Sequence, residues 1–114
     1  MRCVVRTPES AHFDGEVTVA VLPATDGEIG ILPKHAAMVC ALGTGACRLT
    51  TDEGVLKFAL SGGFSRVRDN VITVLTTRCE TGSKISAEEA KKALEEAKGD
   101  DIPWARARLK AAGK

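Results

Sequence analysis

The residues of this chain most capable of chemistry are its thiols and imidazoles: Cys3, Cys40, Cys47, Cys79, His12 and His35. No Cys-x-x-Cys pair occurs, and the two histidines lack the spacing of a zinc site, so we predict no metal centre. The cysteines stand among or beside Val, Ala, Leu and Thr, where a free thiol packs as a small hydrophobic side chain. We therefore predict buried thiols and a reducing compartment, with disulfides or a bound metal as the alternative.

The sequence carries no recognisable catalytic motif. Ser61-Gly62-Gly63 lacks the Gly-x-Ser-x-Gly context of a hydrolase nucleophile. Neither the glycine-rich phosphate loop nor the dinucleotide-binding glycine motif occurs. His35 could in principle act as a base for Cys40, which keeps a small Cys/His hydrolase as the enzymatic hypothesis. Only composition supports that pairing, so we predict no catalytic residues.

Composition excludes several classes of partner. The 114 residues carry a net charge of +1, which argues against broad electrostatic binding of nucleic acid. Aromatic residues make up 4% of the chain and tyrosine is absent, so a base-stacking platform is not expected either. No apolar run approaches the roughly 20 residues that a membrane-spanning helix needs, so we predict no direct membrane insertion.

The elements that would position any site fall into two groups, and the first spans residues 1–80. Short segments rich in Val, Ile, Leu and Thr alternate with turn signals such as Asp52-Glu53-Gly54 and Asp69-Asn70, which we interpret as hairpin loops. Alternating polar and apolar residues are typical of half-buried strands. The sequence therefore predicts an all-β amino-terminal domain, a sandwich or a barrel.

Residues 81–114 have the pattern of a helical hairpin, with helices at about 86–98 and 102–112. Ser86 and Glu89 form a capping box at the start of the first helix, and Lys98-Gly99 is a typical helix end. Asp100 or Asp101 could cap the second helix. Apolar stripes of the two helices face each other in this prediction: Ala90, Ala93, Leu94 and Ala97 on the first, and Ile102, Ala105, Leu109 and Ala112 on the second.

An alanine-rich seam of this kind buries little area, so we expect the hairpin to need docking elsewhere and to be able to open. Trp104, the only tryptophan, would either pack the hairpin onto the β-domain or anchor a partner. Arg106, Arg108 and Lys110 would form either a solvated helix face or a contact with an acidic partner.

Five segments in a fixed order resemble the epsilon subunits of rotary F-type ATP synthases, which are called delta in mitochondria. The most distinctive is Asp26-Gly27-Glu28-Ile29-Gly30-Ile31-Leu32-Pro33-Lys34-His35-Ala36. The others are Thr7-Pro8-Glu9, Phe13-Asp14-Gly15-Glu16-Val17, Leu60-Ser61-Gly62-Gly63-Phe64 and Val71-Ile72-Thr73-Val74-Leu75. The resemblance is strong to about residue 80 and looser after it.

This resemblance implies a β-sandwich of about ten strands followed by two helices, in a non-catalytic subunit of the central stalk. The implied partners are the gamma subunit and the c-ring, which would hold the protein peripherally on the cytoplasmic side of a bacterial membrane. It assigns Glu28 and His35 to a polar loop that faces the c-ring. It also assigns Arg106, Arg108 and Lys110 to a helix that, once extended, faces an acidic region of a catalytic beta subunit and inhibits ATP hydrolysis.

Two departures from the family pattern change what we expect. Members that bind ATP carry Ile-Asp-x-x-Arg-Ala at the first helix, whereas this chain has Ser86 and Glu89 in place of the Asp and the Arg. A carboxylate where a triphosphate should bind reverses the local charge, so we predict no regulatory ATP binding and no cofactor. The predicted last helix of about 12 residues spans only about 18 Å, so we expect weak inhibition.

A second interpretation does not depend on the resemblance. A free-standing β-sandwich that binds proteins, with the helical hairpin serving as a dimerisation arm, would show the same strand and helix pattern. Co-purification distinguishes the two, since a stalk subunit needs a sizeable and specific interface with a gamma subunit.

Overall fold

Ten strands followed by two helices make up the fold, in a computed structural model that describes residues 1–99 and 101–112. The strands are β1 Arg2–Arg6, β2 Ala11–Glu16, β3 Val19–Ala24, β4 Gly27–Ile31, β5 Met38–Ala41, β6 Thr44–Thr51, β7 Gly54–Ser61, β8 Phe64–Arg68, β9 Val71–Leu75 and β10 Arg78–Thr81. A single 3₁₀ turn at Gly82–Lys84 leads into the helices, α1 Ala87–Glu96 and α2 Asp101–Ala112. The predicted fold class, a β-sandwich with a carboxy-terminal helical hairpin, is confirmed.

The strands form two five-stranded sheets. The order in the first sheet is β2-β1-β9-β8-β5, and in the second it is β10-β7-β6-β3-β4. All neighbours are antiparallel except β1 and β9, which run parallel. Alternate residues point inward, as in β1 with Cys3 and Val5, because successive side chains of a strand point to opposite faces. The core between the sheets consists of aliphatic and thiol side chains, together with Phe58.

Both predicted hairpin loops are present. Thr51 pairs with Gly54 across the β6–β7 turn, and Arg68 pairs with Val71 across the β8–β9 turn. Asp69 and Asn70 both adopt positive φ, 52° and 63°, which is the backbone of a two-residue hairpin turn.

The first helix begins as predicted but ends earlier. Ser86 is its cap, and the Ser86 hydroxyl accepts a hydrogen bond from the Glu89 amide at 3.4 Å. The helix ends at Glu96 rather than Lys98, because Ala97 is extended, with ψ of 146°, and directs the chain back towards α2. Gly99, with φ of 58°, lies in this connection instead of closing the helix.

The second helix begins at Asp101, one residue before the predicted start. Asp101 therefore lies inside the first turn and is not its cap, and Asp100 is outside the described residues. No helix among the residues that the structure describes is long and apolar enough to cross a membrane.

Two apolar faces on α2 place it between α1 and the second sheet. The predicted stripe accounts for the face towards α1, where Ala90 and Ala105 are buried. The other face was not predicted: Ala107 and Ala111 pack on Ala46 and Ala59 of the sheet, and we call these four residues the alanine seam. Small side chains on both surfaces let the helix approach closely, and we refer to residues 81–99 and 101–112 in this docked position as the arm.

Candidate functional surfaces

The thiols predicted to be structural are buried or partly buried. All four cysteines are free. Burial raises the pKa of Cys3 to about 12 and that of Cys79 to about 11, and it raises the pKa of Cys47 strongly. Since the thiolate is the reactive form, these three side chains are poor nucleophiles near neutral pH.

The geometry gives the hydrolase hypothesis no support. The Cys40 thiol lies 3.0 Å from the Ser65 hydroxyl, and His35 Nδ1 lies 2.9 Å from the carbonyl oxygen of Ala36. In the described part of the chain, no hydrogen bond joins the Cys40 thiol to the His35 imidazole. The described part of the chain also holds no group of three or more potential metal ligands.

Glu28 lies in a strand, which differs from the loop position that the resemblance assigned to it. A two-residue turn places it opposite Pro23 in the β3–β4 hairpin, at the edge of the second sheet. From there its carboxylate reaches Lys110 Nζ at 3.5 Å and Arg48 at 3.9 Å. His35 lies beyond the opposite end of β4, so the structure places these two residues on separate segments.

The three cations of α2 have different surroundings. Arg108 forms an ion pair and hydrogen bond with Glu80 on β10, and Lys110 forms an ion pair with Glu28 on β4. Arg106 is exposed and makes no ion pair with any described residue. Because β10 and β4 are the two edge strands of the second sheet, these ion pairs hold α2 to both edges of that sheet.

Trp104 joins the beginning of α2 to the sandwich. Its half-buried ring packs beside the alanine seam, and the Arg78 guanidinium lies 4.4 Å from the ring centroid. Such a cation–π contact contributes roughly 0.5–1 kcal/mol at an exposed site. The arm is thus held by an apolar seam, two ion pairs and one stacked cation.

The remaining predicted packing residues are only half-buried. They lie along the contact between the helices or at its ends: Ala93, Leu94, Ala97, Ile102 and Leu109. Ser86 and Glu89, which replace the nucleotide-binding residues of some relatives, are both exposed at the start of α1.

A surface that the sequence analysis missed is the outward face of the first sheet. Val39 is 70% exposed and Phe64 is 48% exposed. Both lie on the face opposite the core, together with half-buried Leu75. Two arginines, Arg66 and Arg68, share this face. The available signal was the alternation in β8, where Phe64 occupies a position whose neighbours two and four residues later are charged.

A salt link stiffens the far edge of this sheet. Arg2 donates two hydrogen bonds to Asp14, at 2.9 and 2.8 Å. These bonds lower the pKa of Asp14 and raise that of Arg2.

Comparison with known proteins gives a consistent result. A family model described as "ATP synthase, Delta/Epsilon chain, beta-sandwich domain" matches residues 1–82. The ATP synthase epsilon chain of Synechococcus elongatus is 39% identical, over 96% of this chain and 92% of that one. The epsilon chain of Carboxydothermus hydrogenoformans is 43% identical, over 82% of this chain and 70% of that one.

Two solved structures share the fold. A chain of the Euglena gracilis mitochondrial ATP synthase, solved as an OSCP/F1/c-ring assembly, superposes with a TM-score of 0.76 at 22% identity, covering 96% of this chain and 77% of that chain. A chain of the Tetrahymena thermophila mitochondrial ATP synthase, from a structure of its central stalk and c-ring, superposes with a TM-score of 0.65 at 17% identity. The match covers 98% of this chain and 96% of that chain. The chain therefore belongs to the delta/epsilon family of ATP synthase, and like the epsilon chains it matches it is a non-catalytic, accessory subunit.

Proposed function

We propose that this epsilon-type subunit works in the central stalk, where it binds the gamma subunit and the c-ring and couples c-ring rotation to the catalytic head. The observation that carries the gamma contact is the bare outward face of the first sheet. Val39 and Phe64 are large apolar side chains left in water, and an exposed apolar patch typically marks an interaction surface. Arg66 and Arg68 would supply charged contacts at its rim.

The sandwich is built to resist deformation. Two hydrogen-bonded sheets enclose a close-packed core, and such interiors have low compressibility. A subunit that carries torque needs this stiffness. In this role the protein would act through its contacts with the gamma subunit and the c-ring, peripherally on the cytoplasmic side of the membrane.

The gamma contact can be tested by co-purification with variants of the bare face. Val39→Glu and Phe64→Glu should abolish retention on an immobilised gamma subunit, because each buries a charge in the interface. Val55→Glu is the matched control, since Val55 is equally apolar and 55% exposed but lies on the second sheet. Equal retention of all three variants would contradict the assignment.

Glu28 and His35 remain our candidates for the c-ring contact, and the structure changes how they would act. They lie at opposite ends of β4, so together they would present the edge of the second sheet and its following loop, not one continuous loop. Site-specific cross-linking from each position to the c-ring tests them separately. A cross-link from His35 alone would limit the contact to the β4–β5 connection.

Regulation by the arm is the finer part of the proposal. In the docked position Arg108 and Lys110 are paired with carboxylates of the sandwich, so they are not free to meet an acidic region of a catalytic beta subunit. Release of α2 would free both cations, which would then join Arg106, already exposed and without an ion pair to any described residue. Glu80→Gln should favour release and lower the ATPase activity of the assembled complex, with Glu53→Gln in the β6–β7 turn as the control. Unchanged activity in both would show that the arm does not inhibit.

We also propose that the arm has no regulatory nucleotide site at the start of α1. Glu89 places negative charge where the family's ATP-binding members have an arginine. Calorimetry on the isolated protein should detect no sub-millimolar ATP affinity. A sub-millimolar ATP affinity that is lost in the Glu89→Gln or Ala90→Leu variant would overturn the proposal that this site is absent.

A further inference from the structure

A groove of about 320 Å³ lies between α2 and the β3–β4 hairpin. Its walls are mostly apolar, formed by Pro23, Ala24, Gly45, Ala46, Pro103 and Ala107. Glu28, Arg106 and Lys110 contribute the charged side chains of the rim. Binding pockets in proteins measure about 300–1,000 Å³, so this groove suits a small ligand.

Positive charge exceeds negative charge around the groove. Arg48 and Lys110 share the single carboxylate of Glu28, at 3.9 and 3.5 Å. Both distances are longer than the roughly 2.7–2.9 Å of a charge-assisted hydrogen bond, so neither cation is fully satisfied. Arg106 has no ionic partner anywhere in the described residues. Among the described residues, the groove is therefore lined by two cations, Arg106 and Lys110, and one carboxylate, Glu28, which Arg48 approaches from outside the lining.

We propose that this groove binds a small phosphate-bearing anion. The Arg106 guanidinium offers the planar donor pair that matches two phosphate oxygens, and the Lys110 ammonium adds a point charge from the next turn of the same helix face. Apolar walls reduce the screening of these charges by water. Thr44 also lines the groove, and its hydroxyl lies 3.4 Å from the Ser61 hydroxyl, which can accept or donate in that pair.

One wall of the groove belongs to α2 and the other to the sandwich, so the complete site exists only while the arm is docked. A ligand that binds one state and not the other stabilises the state it binds. None of the lining residues lies in 81–99, so this site is separate from the first turn of α1. It also stands independently of the rotor role, since the isolated chain contains every residue involved.

Nuclear magnetic resonance on the ¹⁵N-labelled full chain tests the site, with inorganic phosphate replacing chloride at constant ionic strength. Saturable shifts are expected at the amides of Thr44, Gly45, Arg106 and Lys110. Arg106→Gln should weaken phosphate binding about threefold to fivefold, the range expected for one exposed charged contact. Lys92→Gln makes the same charge change on the exposed side of α1 and should leave the affinity unaltered.

Glu28→Gln provides a test of opposite sign. Removing this carboxylate should tighten phosphate binding, because Glu28 is the only acidic residue among the described residues that line the groove. Trp104 emission, recorded for each variant, shows whether the arm remains docked. Shifts that stay linear to about 20 mM phosphate, or equal affinity in the Arg106 and Lys92 variants, would overturn the proposal.

Discussion

The two sheets of the sandwich contain the same number of strands, but their outward faces differ. On the second sheet the outward positions at the centre are alanines, Ala46 and Ala59, and a helix covers them. On the first sheet the corresponding surface carries Val39 and Phe64, and it is left in water. A helix packs closely on small side chains, whereas large exposed ones favour a separate partner. The same fold therefore has one face covered by its own arm and one exposed face, which we propose binds another chain.

The two regions also differ in how strongly they are held. The sandwich has a continuous aliphatic core, while the arm depends on an alanine seam and a few polar links. Apolar area sets most of this difference, at roughly 25 cal/mol per Å². The following predictions test it, beginning with the largest effect.

Truncation in the core should destabilise the whole protein. Leu60 is completely buried, so Leu60→Ala should lower the free energy of unfolding by about 2–5 kcal/mol. Leu94→Ala on α1, where the side chain is only half-buried, should cost about 1 kcal/mol. Urea denaturation followed by circular dichroism measures both. Equal losses would contradict the division into a strong core and a weak arm.

A methyl group at Gly82 should displace the arm while leaving the sandwich folded. A Cβ there would clash with the carbonyl oxygen of Ala111 on α2 and lie 2.8 Å from that of Lys57. Gly82→Ala should therefore shift Trp104 emission to longer wavelength, as expected for a ring released into water. Gly30→Ala is the control, because a Cβ at Gly30 meets nothing within 4 Å. Unchanged emission in the Gly82 variant would show that α2 tolerates a wider spacing.

Removal of one ion pair should loosen the arm by a smaller amount. Glu80→Gln leaves a hydrogen-bonding group facing Arg108 but removes the charge, at a cost of about 1 kcal/mol. Acrylamide should then quench Trp104 more efficiently. Added salt should reduce the difference from the unaltered protein, since it screens the pair. A difference that is insensitive to salt would point to packing as its cause.

The smallest effect on the free energy of unfolding is expected from a change to the Arg2–Asp14 pair at the edge of the first sheet. The pKa of Asp14 is lowered by its hydrogen bonds with Arg2, so the folded state favours the charged carboxylate. The stability that this pair contributes is fully present at pH values above the pKa of an aspartate in the unfolded chain, about 3.9. It is lost as the pH falls through the lower pKa that Asp14 has in the folded state. Asp14→Asn should remove this pH-dependent increment. Urea midpoints between pH 2 and pH 6 test it.

Local patterns predicted the elements of this fold well. Alternation and turn residues predicted the all-β domain and both hairpin loops, and the Ser86 cap marked the start of α1. Ala107 and Ala111 were missed because a single stripe was assigned to a helix that packs on two sides. The end of α1 was misplaced, since Gly99 serves the connection between helices instead of the helix end.

Long-range contacts were beyond the reach of these patterns. Nothing local indicates that Glu28 meets Lys110, because the pairing depends on how α2 crosses the second sheet. The exposure of Phe64 did have a local signal, since Arg66 and Arg68 share its face of β8, but an aromatic residue in a strand is usually assigned to the core. The groove beside Arg106 likewise depends on the position of α2 across the second sheet.

The parallel pairing of β1 with β9 has a consequence for synthesis. Arg2 pairs with Val71 and Arg6 with Leu75, so β1, whose first neighbour β2 follows directly, must wait for its second neighbour, made some seventy residues later. At translation speeds of 5–20 residues per second, that delay is about 4–14 seconds. The β3–β4 and β6–β7 hairpins can form during this interval from neighbours in the chain. Closing the first sheet is therefore a late event in synthesis, and the arm, which is made later still, docks on the second sheet.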